Sequence, residues 1–250
     1  MKVGPFEMGR VYLGDCRDLM RQIPERSIDA IVADPPYSSG GQFRGDRARS
    51  THEKYVQTGQ RIVSSDFAGD TRDQRAYTRW SEYWLRAAFH RSREGAFLAV
   101  FTDWRQLPAM TDAVQMAGWV WRGIAVWDKG EGVRPFLGRF RAQAEYIVWG
   151  SRGPMPMAGD TFPGVFKCGV AADGNDHQTA KPVTVAEWLL GPTKAGAIVL
   201  DPFAGGGTTG VACKLMGREF LGFELDPVWC DYANRRLGVT ASEAGTSLFA

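Results

Sequence analysis

The chain is poor in the residues that build covalent or metal scaffolds. Its 250 residues contain four cysteines, at 16, 168, 213 and 230, and three histidines. No cysteine pair has a C-x-x-C spacing and no histidine cluster accompanies one, so neither a disulfide framework nor a zinc site is expected. Cys213 and Cys230 fall on helical faces and read as small packing residues. Long apolar runs are also missing. The stretch at 195–200 is far shorter than the ~20 residues that span a bilayer, which excludes a transmembrane helix from the expectations. Met1–Arg10 lacks the basic-then-apolar order of a secretory leader. Reduced thiols in a cytoplasmic setting are therefore expected.

What is present is an ordinary globular composition, 44% hydrophobic and 23% charged. The length suits one large domain or two small ones, and one domain over 1–250 is the simpler expectation. Net charge is +2, but it is unevenly spread. Residues 39–93 carry eleven Lys or Arg against six Asp or Glu, a local +5, while 201–250 carry four against six, a local −2. That asymmetry fits either a polyanionic partner on one face or a solvated helix surface. Lysines number seven and arginines twenty-three; arginine favours bidentate contacts to phosphate and guanine.

Hydrophobic periodicity predicts alternating strands and helices. Strands are expected at 11–13, 28–33, 96–101, 119–127, 145–149, 197–200 and 219–223. Helices are expected at 16–22, 73–91, 106–116, 184–190, 208–216 and 227–237. Residues 38–72 form a basic segment without periodicity, too long for an ordinary loop, and 150–180 read as irregular. The pattern predicts an α/β sheet with helices on both faces. Tyr77, Trp80 and Trp84 recur at helical spacing, which marks a packing face rather than a base-stacking one.

Two segments carry chemistry. In the first, Ile198–Asp201 is followed by Pro202–Phe203–Ala204–Gly205–Gly206–Gly207–Thr208–Thr209. This is a strand, a glycine turn and a helix start, where bare backbone presents N–H groups to a ligand. The next strand ends on Glu224, seventeen residues after Gly207, where a carboxylate can accept from both ribose hydroxyls. No Gly-Lys-Ser/Thr follows, so this is not a P-loop. Asp201 would sit badly beside a pyrophosphate and well beside a ligand ammonium, as in S-adenosylmethionine. The turn alone still admits a methyl donor, a nucleotide or a purely structural role.

The second segment, Asp34–Pro35–Pro36–Tyr37, follows the apolar strand IDAIVA. The prolines stiffen the chain and remove two N–H donors, leaving acceptors. Asp34 and the Pro35 carbonyl can each take one N–H of an exocyclic amine, drawing its nitrogen toward a tetrahedral geometry with a usable lone pair, while Tyr37 stacks on the base. Positioning and electrostatics would then supply most of the rate. A Pro-rich turn with a capping Asp is the structural alternative.

Together these segments resemble the amino-methylating DNA methyltransferases, and their order, with DPPY first and DPFAGGGTT last, is similar to the β group of that family. Three shorter matches extend the resemblance. Leu13–Asp18 resembles the segment contacting the cofactor adenine, which implies Asp15 with Cys16. His177–Pro182 resembles an H-x-x-x-K-P segment, which implies Lys181 near the methionine carboxylate. Phe220–Asp226 resembles the ribose segment, which implies Glu224 with Leu225.

The resemblance implies S-adenosylmethionine as cofactor, held by Asp15, Cys16, Asp34, Lys181, Asp201, Pro202, Phe203, Gly205, Gly207, Thr208, Thr209, Glu224 and Leu225. It implies catalysis by Asp34, Pro35, Pro36 and Tyr37. The implied fold is Rossmann-like, with seven strands, those at 197–200 and 219–223 being the first two and that at 145–149 antiparallel. The cofactor half would cover 177–237.

In this family Asp at the first motif position is usual for adenine N6 and Ser for cytosine N4, so adenine is favoured. The implied partner is double-stranded DNA with the target flipped out, as in restriction-modification systems. A prokaryotic, nucleoid-associated location and a possible homodimer go with it. Candidates for DNA contact are Arg44, Arg47, Arg49 and Arg61 in the basic segment and Lys129, Arg134, Arg139 and Arg141 further on. A short target-recognition region is expected at 150–176. Other readings are N4-cytosine methylation, an RNA or protein methyltransferase, a nucleotide-binding oxidoreductase and a catalytically silent DNA-binding module.

Overall fold

The six residues Ile28–Ala33 set the frame. Every other side chain of this strand, β4, enters one of two cores: Ile31 and Ala33 face one side, Ala30 and Val32 the other. A strand buried on both faces needs helices above and below it. The computed structural model describes residues 1–37, 72–133, 135, 137–155, 159–169 and 181–239.

A two-residue hairpin, β1 (Lys2–Val3) with β2 (Phe6–Glu7), opens the chain. There follow β3 (Arg10–Leu13), α1 (Cys16–Leu19) with a 3-10 turn to Gln22, and β4. Beyond the basic segment come α2 (Gln74–Arg91), β5 (Ser92–Thr102), α3 (Leu107–Met116), β6 (Val120–Asp128), β7 (Ala144–Ser151) and β8 (Val165–Lys167). The last part is α4 (Val183–Leu190), β9 (Ile198–Asp201), α5 (Thr208–Leu215), β10 (Glu219–Glu224) and α6 (Pro227–Leu237).

Among the described residues one eight-stranded sheet runs β3-β10-β9-β4-β5-β7-β6-β8. Only β7 runs against its neighbours. The seven expected strands are all present, and the one at 145–149 is antiparallel. The eighth, β8, corrects the reading of 150–180 as irregular. Its three residues pair in parallel with Val126–Asp128 of β6, and a run that short carries no periodicity to find. The opening hairpin was likewise not expected from sequence. Its Phe6 is fully buried against Tyr12 and Phe223.

Helix α2 turns Tyr77, Trp84, Leu85 and Ala88 into one core. Helices α4, α5 and α6 cover the other with Val185, Leu189, Ala212 and Ala233. The amide of Asn234 bonds Val11 N–H and C=O at 2.9 and 2.8 Å, covering the open edge of β3. Cys213 and Cys230 are buried packing residues. No helix of the described residues is long and apolar enough to cross a membrane.

Candidate active site

Because β3, β10, β9, β4, β5 and β6 run the same way, their carboxyl ends share one edge of the sheet. That edge is where ligands of open α/β sheets bind. In sheet order it carries Asp15 after β3, Glu224 ending β10, Asp201 ending β9 and Asp34 after β4. Four acids on neighbouring strand ends favour a cationic ligand over a phosphate.

The glycine turn is held from several sides. Asp201 is buried; its Oδ1 accepts from Phe203 N at 3.0 Å and its Oδ2 from Thr209 Oγ1 at 2.6 Å. Glu224 Oε2 accepts from Gly205 N at 2.8 Å and Oε1 from Asp226 N at 2.9 Å. Arg236 donates to Gly206 O at 3.0 Å. Gly207 caps α5 at φ +76°, where a Cβ would also lie 3.0 Å from Ala233 Cβ, so both backbone and space require glycine. Burial, with the nearby Asp34 and Glu224 charges adding to it against the Thr209 and Phe203 bonds, pushes the Asp201 carboxyl up to about 7. Burial also raises Glu224.

Phe203 of the turn packs edge-on to Trp84, centroids 5.1 Å apart, and 5.6 Å from Trp80. The aromatic row of α2 is thus a packing face, and what it supports is the glycine turn. Arg72 lies over Trp80 at 4.4 Å.

At Asp34–Tyr37 the side chains form a dense polar cluster. Tyr37 OH donates its one proton toward Asp34 Oδ1 at 2.8 Å, and Glu145 Oε2 lies 3.2 Å from the same hydroxyl. Lys181 Nζ lies 2.6 Å from Asp34 Oδ2 and 3.4 Å from Glu145 Oε2. Lys129 Nζ lies 3.1 Å from Glu145 Oε1. Two ammoniums thus face two carboxylates, which makes the shared burial of four charges tolerable. Burial alone would raise the Glu145 carboxyl, but Lys181 and then Lys129 more than offset it and leave it lowered. Burial would lower the Lys181 ammonium; Asp34 and Glu145 reverse that and raise it. Tyr37 is raised well above the usual phenol range by burial and then by the two carboxylates. At neutral pH its hydroxyl is therefore a donor.

Glu145 is the residue that sequence reading missed. It is the second residue of β7, an apolar strand in which a single acid near the end looks like a solvated terminus; only its convergence with Lys129 and Lys181 distinguishes it. Lys129 is placed differently from its expected DNA contact, since its ammonium is paired inward with Glu145 and its side chain is 16% exposed. Lys181 meets Asp34 and Glu145. Asp15 stands at the same edge but caps α1 and pairs with Arg17, whose hydrogen bond lowers its carboxyl. Cys16 is buried, and burial raises its thiol beyond the useful range. Leu225 is 53% exposed beside Glu224. Arg139 and Arg141 are exposed on the loop between β6 and β7. Arg44, Arg47, Arg49, Arg61 and Arg134 lie outside the described residues, as do parts of 150–176. Among the described residues no group of three His, Cys, Asp or Glu could hold a metal ion.

Known proteins match this arrangement along nearly the whole chain. The N6/N4 DNA methylase profile covers residues 28–162 and 158–235. An Escherichia coli (strain K12) protein described as a methylase, YubD, is 30% identical over 220 residues, 87% of this chain and 85% of its own. The type II methyltransferase M.HinfI of Haemophilus influenzae is 25% identical over 254 residues, 92% of this chain and 68% of its own. Among solved structures, the M1.HpyAVI–SAM complex superposes with a TM-score of 0.66 at 20% identity, over 91% of this chain and 98% of that one. The cytosine-N4-specific PvuII DNA methyltransferase superposes at 0.68 and 16% identity, over 94% and 90%. With DPPY and the glycine turn meeting at one sheet edge, and a profile matched from Ile28 to Arg235, the chain belongs to the N6/N4 family of DNA methylases.

Proposed function

We propose that the protein methylates the exocyclic N6 amine of adenine in double-stranded DNA, with S-adenosylmethionine as methyl donor. The observation that carries this reading is the meeting, at one sheet edge, of Asp34 with the acidic row of Asp15, Glu224 and the buried Asp201 on the cofactor side. A sulfonium and an ammonium suit that row. The ribose suits Glu224, whose oxygens each keep a lone pair beyond the backbone bond they accept. Asp201 and Gly205–Thr209 would hold the methionine end, with Phe203 and Trp80 as an apolar wall. Bound there, S-adenosylmethionine supplies an electrophilic methyl group. The relatives support the choice: M1.HpyAVI is solved as its SAM complex.

The protein's own part is to bind and orient the amine. Asp34 and the Pro35 carbonyl accept its two hydrogens, so that the nitrogen lone pair is freed from the ring. Asp34 keeps the lone pairs not used by Tyr37 and Lys181. Tyr37 is held by its hydroxyl against Asp34 and Glu145, and its ring face is presented to the base. The amine nitrogen would take the methyl group from the bound sulfonium, which leaves as a neutral thioether, and Asp34 would be the acceptor within reach for the proton the methylated nitrogen sheds. A base in a duplex cannot reach this edge unless it is flipped out, at a cost of a few kcal/mol. Asp at position 34, rather than Ser, supports adenine over cytosine.

The test is transfer of tritiated methyl from S-adenosylmethionine to unmethylated genomic DNA, followed by nucleoside chromatography. Label in N6-methyladenine is the expected result, and Asp34→Ala should abolish it. Label in N4-methylcytosine would move the base, and absence of label in any DNA would overturn the reading.

A further inference from the structure

The loop between β6 and β7 leaves the same edge as the DPPY turn, and its base is part of the catalytic cluster. Lys129 N bonds Gln143 O at 2.8 Å, Gly130 N bonds Asp128 Oδ1 at 2.8 Å and Gln143 Nε2 reaches the same oxygen at 3.2 Å. From this pinned base Lys129 and Glu145 turn inward toward Tyr37 and Lys181. The far part of the loop does the opposite. Phe140 is 100% exposed and Leu137 98%, the two most exposed large apolar side chains described. Exposed arginines at 139 and 141 flank the phenylalanine, and Arg141 also braces the loop through Glu131 O. Lone exposed apolar residues are common. An aromatic ring with no intramolecular cover, set between two arginines, is suited to a nucleobase step between two phosphates.

Reach agrees with this chemistry. Phe140 lies three residues from Gln143, so its Cα stands at most ~11 Å from the pinned base of the loop. Flipping a base leaves a gap in the stack roughly one helix radius from the pocket that receives it. Resting on the DNA-methyltransferase reading, we propose that Phe140, with Leu137 beside it, enters the DNA stack and fills the gap left by the flipped target base. The flanking arginines would grip the phosphates on either side.

The experiment uses the full chain. The site methylated by wild-type protein on genomic DNA is mapped by sequencing, and duplex oligonucleotides carrying it are made in two forms. In one the target is normally paired; in the other it faces an abasic site, which lowers the cost of flipping. Phe140→Ala should lower kcat/KM on the paired duplex about 10- to 100-fold, the scale of one lost base–aromatic stack. It should stay within about 3-fold of wild type on the abasic duplex, because the target there has no pairing partner to leave and flipping needs less help from an inserted side chain. Arg139→Ala is the contrasting control and should weaken both duplexes alike, with a salt slope reduced by about one. At saturating protein, 2-aminopurine placed at the target should brighten with wild type and much less with Phe140→Ala. Since Phe140 packs against nothing, thermal melts of variant and wild type should superimpose. Unchanged activity of Phe140→Ala on paired DNA would overturn the proposal, and so would an equal loss on both duplexes. A wild-type protein that labels no DNA would instead overturn the reading beneath it.

Discussion

Glu145→Gln is the perturbation that most directly tests the charged cluster around Tyr37. The change is nearly isosteric, so packing is kept and only charge is lost. Lys129 and Lys181, with side chains 16% and 15% exposed, would then share a single carboxylate, Asp34. Breaking a buried ion pair from one side costs about 3–5 kcal/mol, because an uncompensated charge remains buried. The amide oxygen can still accept from one ammonium, which argues for the lower end. Against a total stability of about 5–15 kcal/mol the loss is large. At about 2–4 °C per kcal/mol for a chain of this size, the midpoint should fall by about 6–12 °C for a 3 kcal/mol loss.

Denaturant melts followed by circular dichroism measure this, and Lys129→Met added to Glu145→Gln restores one ammonium to one carboxylate. The double variant should recover at least about 1.5 kcal/mol relative to the sum of the single losses. A pH series gives an independent check. Folding lowers the Glu145 carboxyl, so its contribution is complete above its ordinary value of 4.5 and is lost as pH falls through the lower folded value. The gap between wild type and Glu145→Gln should therefore close at acid pH. A loss below about 1 kcal/mol with no recovery in the double variant would refute the charge-balance argument for this cluster.

Three further outcomes follow from the cofactor side. The Asp201 carboxyl lies at about 7 in the free protein, and a bound cation favours its ionised form. S-adenosylmethionine affinity should rise with pH through that value and binding should release protons, which calorimetry in two buffers of different ionisation heat detects; Asp201→Asn should show neither. Glu224→Ala should weaken cofactor affinity about 10- to 100-fold by calorimetry, since two backbone N–H groups lose their acceptor along with the ribose, and unchanged affinity would contradict the assignment. Phe203→Ala should cost about 3 kcal/mol in a denaturant melt, because it removes the ring wedged against Trp80 and Trp84, whereas a loss under 1 kcal/mol would mean the turn stands without it.

Much of the site was legible because its parts are local. A glycine at φ +76° before a helix, an acid at a strand end and two prolines in a turn each impose their conformation within a few residues. The apolar period of β4 and β5 likewise exposes itself in the sequence. Glu145 was not legible, because its meaning lies in Lys129 and Lys181, sixteen and thirty-six residues away along the chain. Lys129 was read outward for the same reason: an isolated lysine beside a basic loop carries no sign that it points inward. The hairpin at Lys2–Glu7 and the strand at Val165–Lys167 are too short for any period to form.

The sequence by itself determined the alternation of strands and helices, the position of the glycine turn and DPPY at strand ends, and the packing face of Tyr77, Trp80 and Trp84. These follow from side-chain spacing and backbone restrictions that act over one turn or one strand. Only the tertiary structure decided that Asp15, Glu224, Asp201 and Asp34 stand in a row, that Phe203 rests on the α2 aromatics, and that two lysines and two carboxylates close on Tyr37. The sheet order β3-β10-β9-β4 draws residues 34 and 201 to one edge. Charges that far apart in the chain can balance only after the strands between them have paired.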